Sequence, residues 1–279
     1  MKLRFTKMHG CGNDYVYVNC FEEEVKDPVS LSIAISDRHF GVGGDGLVLI
    51  CPSDRADAKM RMFNADGSEG KMCGNAIRCV GKYLYDHGIV RKTTVTIETL
   101  SGIKTLELFL KDGKVDSAQV NMGPAILIPS EIPVNLPGER AVAVPVKIAG
   151  EEHTITCVSM GNPHCIVFGG DPYELDLPKI GPLFENDPLF PERVNTEFIE
   201  VLDDHTLNMR VWERGSGETW ACGTGACAAA VAAVLNGFCK KGKDISVRLR
   251  GGELTIRYTD EAVLMTGKAT EVFHGEWDQ

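Results

Sequence analysis

One set of motifs occurs twice in this chain, at a constant offset of 149 residues that carries Cys73 onto Cys222. The first copy reads Met60-Arg61-Met62-Phe63-Asn64, then Gly67-Ser68-Glu69, then Cys73-Gly74-Asn75. The second reads Met209-Arg210-Val211-Trp212-Glu213, then Ser216-Gly217-Glu218, then Cys222-Gly223-Thr224. The offset also pairs Gly12-Asn13 with Gly161-Asn162, Gly88 with Gly237, and Gly102 with Gly251. A duplicated sequence folds into two like halves, and 279 residues suffice for about two domains with separate cores. One cysteine per half then predicts two thiols facing each other across a pseudo-two-fold cleft. That arrangement suits taking a proton from one face of a carbon and returning it to the other.

The halves repeat one order of elements. After Cys73, the residues Ile77, Val80, Gly81 and Leu84 form a helical stripe that Gly88 terminates. Strands follow at Thr94–Thr99 and Thr105–Leu110, with Asp112-Gly113 as a hairpin turn before a third strand ending near Met122. After Cys222, an Ala- and Val-rich helix runs to Asn236. Strands follow at Ile245–Leu249, Leu254–Tyr258 and Ala262–Met265. That helix is apolar nearly all round, which predicts a central helix wrapped by sheet. Pro129–Pro145 reads as an extended join. The expected class is α+β: two pseudo-symmetric domains, residues 1–122 and 123–267. Each is a curved, mostly antiparallel sheet around a central helix, and the active site lies in the cleft between them.

A net charge of −10 argues against nucleic-acid or anionic-membrane binding. No run reaches the roughly 18 apolar residues of a membrane span. The first fifteen residues read as a strand with no signal-peptide core, so a cytoplasmic protein is expected. The ten cysteines are scattered, without C-x-x-C or paired histidines at metal spacing, so neither disulfides nor a metal is expected. Gly41-x-Gly43-x-x-Gly46 formally matches a dinucleotide fingerprint. It precedes a strand where the fingerprint needs a helix, and is rejected.

A cysteine just before a helix gains from the unpaired N–H groups and the dipole there, which stabilise a thiolate below its free pKa of about 8.5. The same N–H groups bind carboxylates. The mates Asn64/Glu213 differ in chemistry while Asn13/Asn162 do not, so the halves are expected to grip different ends of one ligand. Arg214 is a natural partner for a second carboxylate. His164, after the turn signal Asn162-Pro163, is open between a structural and a functional role.

Together, Met8-His9-Gly10-x-Gly12-Asn13-Asp14, Phe63-Asn64-Ala65-Asp66-Gly67-Ser68, Cys73-Gly74-Asn75, Gly161-Asn162-Pro163-His164, Pro191-Glu192-Arg193-Val194-Asn195 and Glu213-Arg214-Gly215-x-Gly217-Glu218-Thr219-x-Ala221-Cys222-Gly223-Thr224-Gly225 resemble the diaminopimelate epimerases over essentially the whole chain. The resemblance implies a cofactor-independent isomerase interconverting LL- and meso-2,6-diaminopimelate in lysine and peptidoglycan precursor biosynthesis, with Cys73 and Cys222 as the two bases. It implies that Asn13, Gly74, Asn75, Gly223 and Thr224 line the reacting end. Asn64, Asn162, Asn195 and Arg214 would bind the distal L-centre, and His164 and Glu213 would poise the thiols, with Glu213 also near a substrate ammonium.

The resemblance further implies a homodimer and a C-terminal strand, about 268–279, that joins the first domain. Many members of the family carry glutamine where this chain has Gly46, the offset mate of Asn195, which leaves that expected contact without a side chain. Two other readings stand beside this one. A proline or hydroxyproline racemase shares the Cys-Gly-Thr-Gly stretch, and a thiol-based redox-sensing amino-acid-binding protein would use the paired cysteines as a switch.

Overall fold

The computed structural model describes residues 2–278. The chain divides into two compact units, one formed by residues up to Asn121 together with those from Thr266 onward, the other by Met122–Met265. Both are α+β, as the pattern predicts.

The first unit runs β1 (Lys2–Gly10), β2 (Asn13–Asn19), α1 (Pro28–Ser36), β3 (Gly46–Cys51), β4 (Ala58–Asn64), β5 (Glu69–Gly70), α2 (Gly74–Asp86), β6 (Thr94–Thr99), β7 (Gly102–Lys111) and β8 (Lys114–Asn121). The second runs β9 (Val144–Ile148), β10 (Glu151–Ser159), β11 (Pro163–Gly169), α3 (Leu177–Glu185), β12 (Asn195–Asp203), β13 (Thr206–Glu213), β14 (Gly217–Thr219), α4 (Gly223–Leu235), β15 (Asp244–Leu249) and β16 (Gly252–Tyr258). Strand β17 (Val263–Lys268) crosses the boundary at Met265, and β18 (Thr270–Asp278) pairs antiparallel with β1.

The sheets follow one plan. β1–β2 and β10–β11 are antiparallel, whereas β2–β3 and β11–β12 are parallel. β3–β4 and β12–β13 are antiparallel, and β4–β6 and β13–β15 are again parallel. A parallel neighbour requires a crossover connection. Helices α1 and α3 lie in the first crossover of each unit, and α2 and α4 in the second. The duplication therefore includes α1 and α3, related by the same 149 residues, which the motif comparison did not reach. Beside β10 stands β9, where the first unit places β18 beside β1.

Helix α4 is buried along Gly225–Ala233, as an all-round apolar helix must be, and its alanines let the sheet approach closely. Helix α2 buries Gly74–Gly81, Tyr83 and Leu84. Both helices stop at a left-handed glycine, Gly88 (φ 73°) and Gly237 (φ 78°). The Asp112-Gly113 hairpin forms with both residues at positive φ. Two details depart from expectation. The second half gains one residue after Gly237, so the counterpart of Gly102 is Gly252, which opens β16 as Gly102 opens β7. The Pro129–Pro145 stretch is not a bare join: Ile132, Val134 and Ala141 pack with Ile155, Phe184 and Phe198 in the second unit's core. Among the described residues, no helix is long and apolar enough to cross a membrane.

Candidate active site

In the first unit Cys73 is the N-cap of α2, with extended backbone and its Sγ accepting the Ala76 N–H (3.5 Å). The thiol donates to Asn13 Oδ1 (3.4 Å), which also accepts from Asn75 Nδ2 (3.4 Å). The Asn13 amide is oriented from behind, because its Nδ2 donates to Asp45 Oδ2 (2.7 Å) and a carboxylate accepts only. Asp45 is held by Arg38 (2.9 Å) and by the Asp14 N–H (3.1 Å). Behind Asn75 lies the fully buried Arg78, donating to Asn75 Oδ1 (2.8 Å) and to the Gly74 carbonyl (3.0 Å). Asn64, at the end of β4, donates to Ser68 Oγ (2.9 Å) within its own turn.

Gly46 is buried between Tyr15 on β2 and Asn64 on β4. A Cβ there would lie 2.0 Å from the Phe63 carbonyl oxygen, so no side chain fits this backbone. Its mate Asn195 ties the second unit's turn by accepting the Arg214 N–H at Oδ1 (2.9 Å). At the matching place in the first unit, the Asp45 carbonyl accepts the Ala65 N–H (3.1 Å). A backbone group substitutes for a side chain.

In the second unit Cys222 caps α4 in the same way, with Sγ accepting the Gly225 N–H (3.4 Å) and 3.5 Å from Thr224 Oγ1. Asn162 Nδ2 donates to Thr224 Oγ1 (3.3 Å), and Asn162 Oδ1 meets His164 Nε2 (3.1 Å). His164 Nδ1 contacts Glu197 Oε1 (2.7 Å), and both side chains are fully buried. Glu213, at the end of β13, accepts the Thr219 hydroxyl and contacts Cys222. Asn195 Nδ2 donates to the Pro163 carbonyl (3.2 Å), and Arg214 Nη1 to the Glu192 carbonyl (2.9 Å). The turn carrying Glu213, Arg214 and Gly215 rests on Glu185 of α3, which accepts from Trp212 Nε1 (2.7 Å), the Gly215 N–H (2.8 Å) and Arg193 (3.1 Å).

Burial raises the Glu213 carboxyl above its ordinary value against the Thr219 and Cys222 contacts that lower it. Burial, then Glu213 and Glu197, hold the Cys222 thiol well above its ordinary range, outweighing Thr224 and the Gly225 N–H. At Cys222 desolvation therefore overrides the helix start, contrary to the expected lowering.

The structure gathers Cys73, Gly74, Asn75 and Asn13 in the first unit. In the second it gathers Cys222, Gly223, Thr224, Asn162, His164 and Glu213, with Asn195 and Arg214 linked beside them. Motif reading missed Asp45, Glu185 and Glu197. Only Glu197 left a signal, as a lone acid inside the buried run Val194–Ile199. Among the described residues, one His/carboxylate cluster has ion-holding spacing, the exposed Asp203, Asp204 and His205. It forms the β12–β13 turn, with Asp203 accepting the His205 N–H (2.9 Å).

The fold is shared with solved structures of an epimerase, a probable racemase and PhzF-family proteins. A hydroxyproline epimerase from Agrobacterium vitis with bound trans-4-hydroxy-L-proline superposes with a TM-score of 0.71 at 16% identity, over 99% of this chain and 91% of that one. A PhzF-family phenazine biosynthesis protein from Bacillus anthracis gives 0.70 at 15%, over the whole of both chains. At the level of sequence, the diaminopimelate epimerase profile matches residues 5–128 and 156–272. Diaminopimelate epimerase of Acetivibrio thermocellus is 57% identical over 278 residues, 99% of each chain. That of Methanococcus maripaludis is 53% identical over 280 residues, covering 99% of this chain and all of its own. The chain belongs to the diaminopimelate epimerase family, and it is an isomerase.

Proposed function

We propose that the chain interconverts LL- and meso-2,6-diaminopimelate without a cofactor, by a two-base mechanism in which Cys73 and Cys222 act on opposite faces of one α-carbon. The observation that carries this is the duplicated cap: each thiol precedes a buried helix and takes the N–H of the third residue on, Ala76 or Gly225. One cysteine, as thiolate, removes the α-proton, and the other, as thiol, supplies a proton to the opposite face. Reversal exchanges the roles. The pair shares one proton, so its titration belongs to both.

Asn13, Gly74, Asn75, Gly223 and Thr224 serve the reacting end, where free N–H groups of the helix starts stabilise the carboxylate as the carbanion develops. Asn64, Asn162, Asn195 and Arg214 serve the distal L-centre, and His164 and Glu213 position and poise the thiols. Each unit is thus one epimerase domain, with β18 completing the first. The reading includes a cytoplasmic homodimer, supported by family resemblance.

A racemase of proline or hydroxyproline is the competing reading, favoured by the shared scaffold. Its substrates have no second amino-acid end to occupy Arg214 and the asparagines. Parallel assays of LL-diaminopimelate, L-proline and trans-4-hydroxy-L-proline separate the two. Inversion of diaminopimelate alone supports the proposal, and turnover of a cyclic substrate alone overturns it.

A further inference from the structure

We infer that Cys20 and Cys51 form a peroxide-reactive dithiol, a modification site in the first unit separate from Cys73, with Cys51 attacking and Cys20 resolving. Its reactivity does not rest on the substrate proposed above.

The parallel pairing of β2 with β3 brings the two cysteines together. Asn19 pairs with Ile50, and the Cys20 N–H donates to the Ile50 carbonyl (2.9 Å), so Cys20 stands beside Cys51 just past the end of β2. Neighbouring strands lie about 4.8 Å apart, inside the roughly 4.4–6.8 Å Cα spacing of disulfides. Both side chains point to one face, where each packs against the cluster containing Val16, Val18, Leu47 and Leu49. The thiols are in hydrogen-bond contact, and both are free and only half-buried.

Strand β4 supplies cations on the same face. Lys59 is the partner of Cys51 across the β3–β4 ladder, and Arg61 lies two residues on, its guanidinium over the Phe63 ring (5.0 Å). Cys20 instead has Glu23 near it, on the turn after β2. This asymmetry divides the roles. The Cys20 hydrogen bond, then Arg61 and Lys59, hold the Cys51 thiol below its ordinary value against burial, with Glu69 beside Arg61 opposing more weakly. The Cys51 contact and burial push Cys20 up. A half-buried thiol beside cations is the setting of a reactive cysteine.

Cys157 and Cys165 meet in a similar way across β10 and β11 of the second unit. They are fully buried, and burial, Cys157 and the acids Glu197 and Asp187 hold Cys165 well above its ordinary range. Adjacency alone does not make a thiol pair reactive. Exposure and the two cations set Cys20 and Cys51 apart.

The oxidant is a hydroperoxide. The Cys51 thiolate attacks its terminal oxygen: an S–O bond forms, the O–O bond breaks, and the leaving alkoxide or hydroxide takes a proton from water. Cys20 then attacks the Cys51 sulfur, forming S–S and breaking S–O, and its proton leaves with the hydroxide as water. The two thiols lose two electrons and the peroxide gains them. Asn13 and Gly46 begin the strands that these cysteines end, about 15–20 Å away, so the step does not touch the candidate active site.

The test treats the reduced full chain with a slight molar excess of hydrogen peroxide, alkylates it with iodoacetamide under denaturing conditions, and reads every cysteine by peptide mass spectrometry. Cys20 and Cys51 should lose alkylation in step and appear as one linked peptide pair that dithiothreitol reverses, while Cys157 and Cys165 stay as thiols. Cys20→Ser should leave Cys51 as a sulfenic acid that dimedone traps, and Cys51→Ser should leave Cys20 unmodified. Arg61→Met should slow the loss about two- to fivefold, the worth of a partly exposed charge.

Four results overturn the inference: Cys20 and Cys51 keeping their thiols while other cysteines oxidise, either one linking elsewhere, dimedone marking Cys20 in Cys51→Ser, or an unchanged rate in Arg61→Met. The parent protein alone decides whether the bond forms, so a serine variant that fails to fold leaves the test standing. A chain that does not epimerise diaminopimelate would remove the proposed function and leave these readings intact.

Discussion

Gly225 abuts the Glu197 carboxylate so closely that a Cβ on the glycine would stand 2.5 Å from Oε1. The third residue of α4 therefore has a packing reason to lack a side chain. Alanine is ordinarily favoured over glycine in a helix by about 1 kcal/mol. Here the overpacking cost of about 1–3 kcal/mol should win, so Gly225→Ala is expected to be net destabilised. Urea unfolding checks this, and a variant at least as stable as the parent would show that Glu197 has room to move.

The duplicated arginine–glutamate pairs should contribute unequally. Arg61 meets Glu69 at 2.8 Å with side chains 37% and 29% exposed, and Arg210 meets Glu218 at 2.9 Å with 11% and 15%. Arg210 also donates to the Pro172 and Leu175 carbonyls (both 2.8 Å). Arg210→Met should cost about 2 kcal/mol, by leaving a partly buried Glu218 with only the 3.7 Å contact to Arg250 and two carbonyls without their donor. Arg61→Met should cost less than about 1 kcal/mol. Equal losses in chemical unfolding would contradict the ranking.

Glu213 gives a pH-dependent signature. Its carboxyl is raised above the ordinary 4.5, chiefly by burial. A raised group contributes stability that is fully present below its ordinary value and is lost as pH rises through the folded value. Glutamine does not ionise and so avoids that loss. Relative to the parent, Glu213→Gln should gain stability between pH 4 and pH 7 while losing epimerase activity. Unfolding midpoints at the two pH values test this, and a relative loss toward pH 7 refutes it.

The sequence carried the duplication, the helix starts at both cysteines and the Asp112-Gly113 hairpin, because caps, turns and periodicity are local. It did not carry α1 and α3 as mates. They share few residue types, and Ser32, whose hydroxyl donates to the Asn64 carbonyl (2.8 Å), is matched by Gly181, where the Trp212 ring fills the space. Glu197 and Asp45 were silent for a related reason: each acts through another side chain, a relation that register creates and spacing hides. Gly46 shows the same limit. Its place reads as a lost contact, yet the Phe63 carbonyl occupies the space a side chain would need.

Restoring a longer side chain at Gly46 should therefore not help. Gly46→Gln is expected to destabilise the fold by about 2 kcal/mol or more and to lower activity, since the backbone cannot easily yield. Thermal unfolding with an activity assay decides it. A stable variant with improved affinity for substrate would show that the strand opens to admit the side chain.

Removing either thiol should lower epimerisation by at least the 10²–10⁴-fold worth of a general acid or base. Cys73→Ala and Cys222→Ala, assayed in both reaction directions, check this. Substantial turnover by both would end the two-base account.

The most direct test uses the intact, reduced enzyme with LL-diaminopimelate in D₂O, following deuterium at Cα and the LL/meso ratio from the first turnovers. Two bases predict meso product carrying solvent deuterium at the inverted centre while the remaining LL substrate is still protiated. Meso product that keeps its protium would mean that one group carries the hydrogen across, and the central claim would fail.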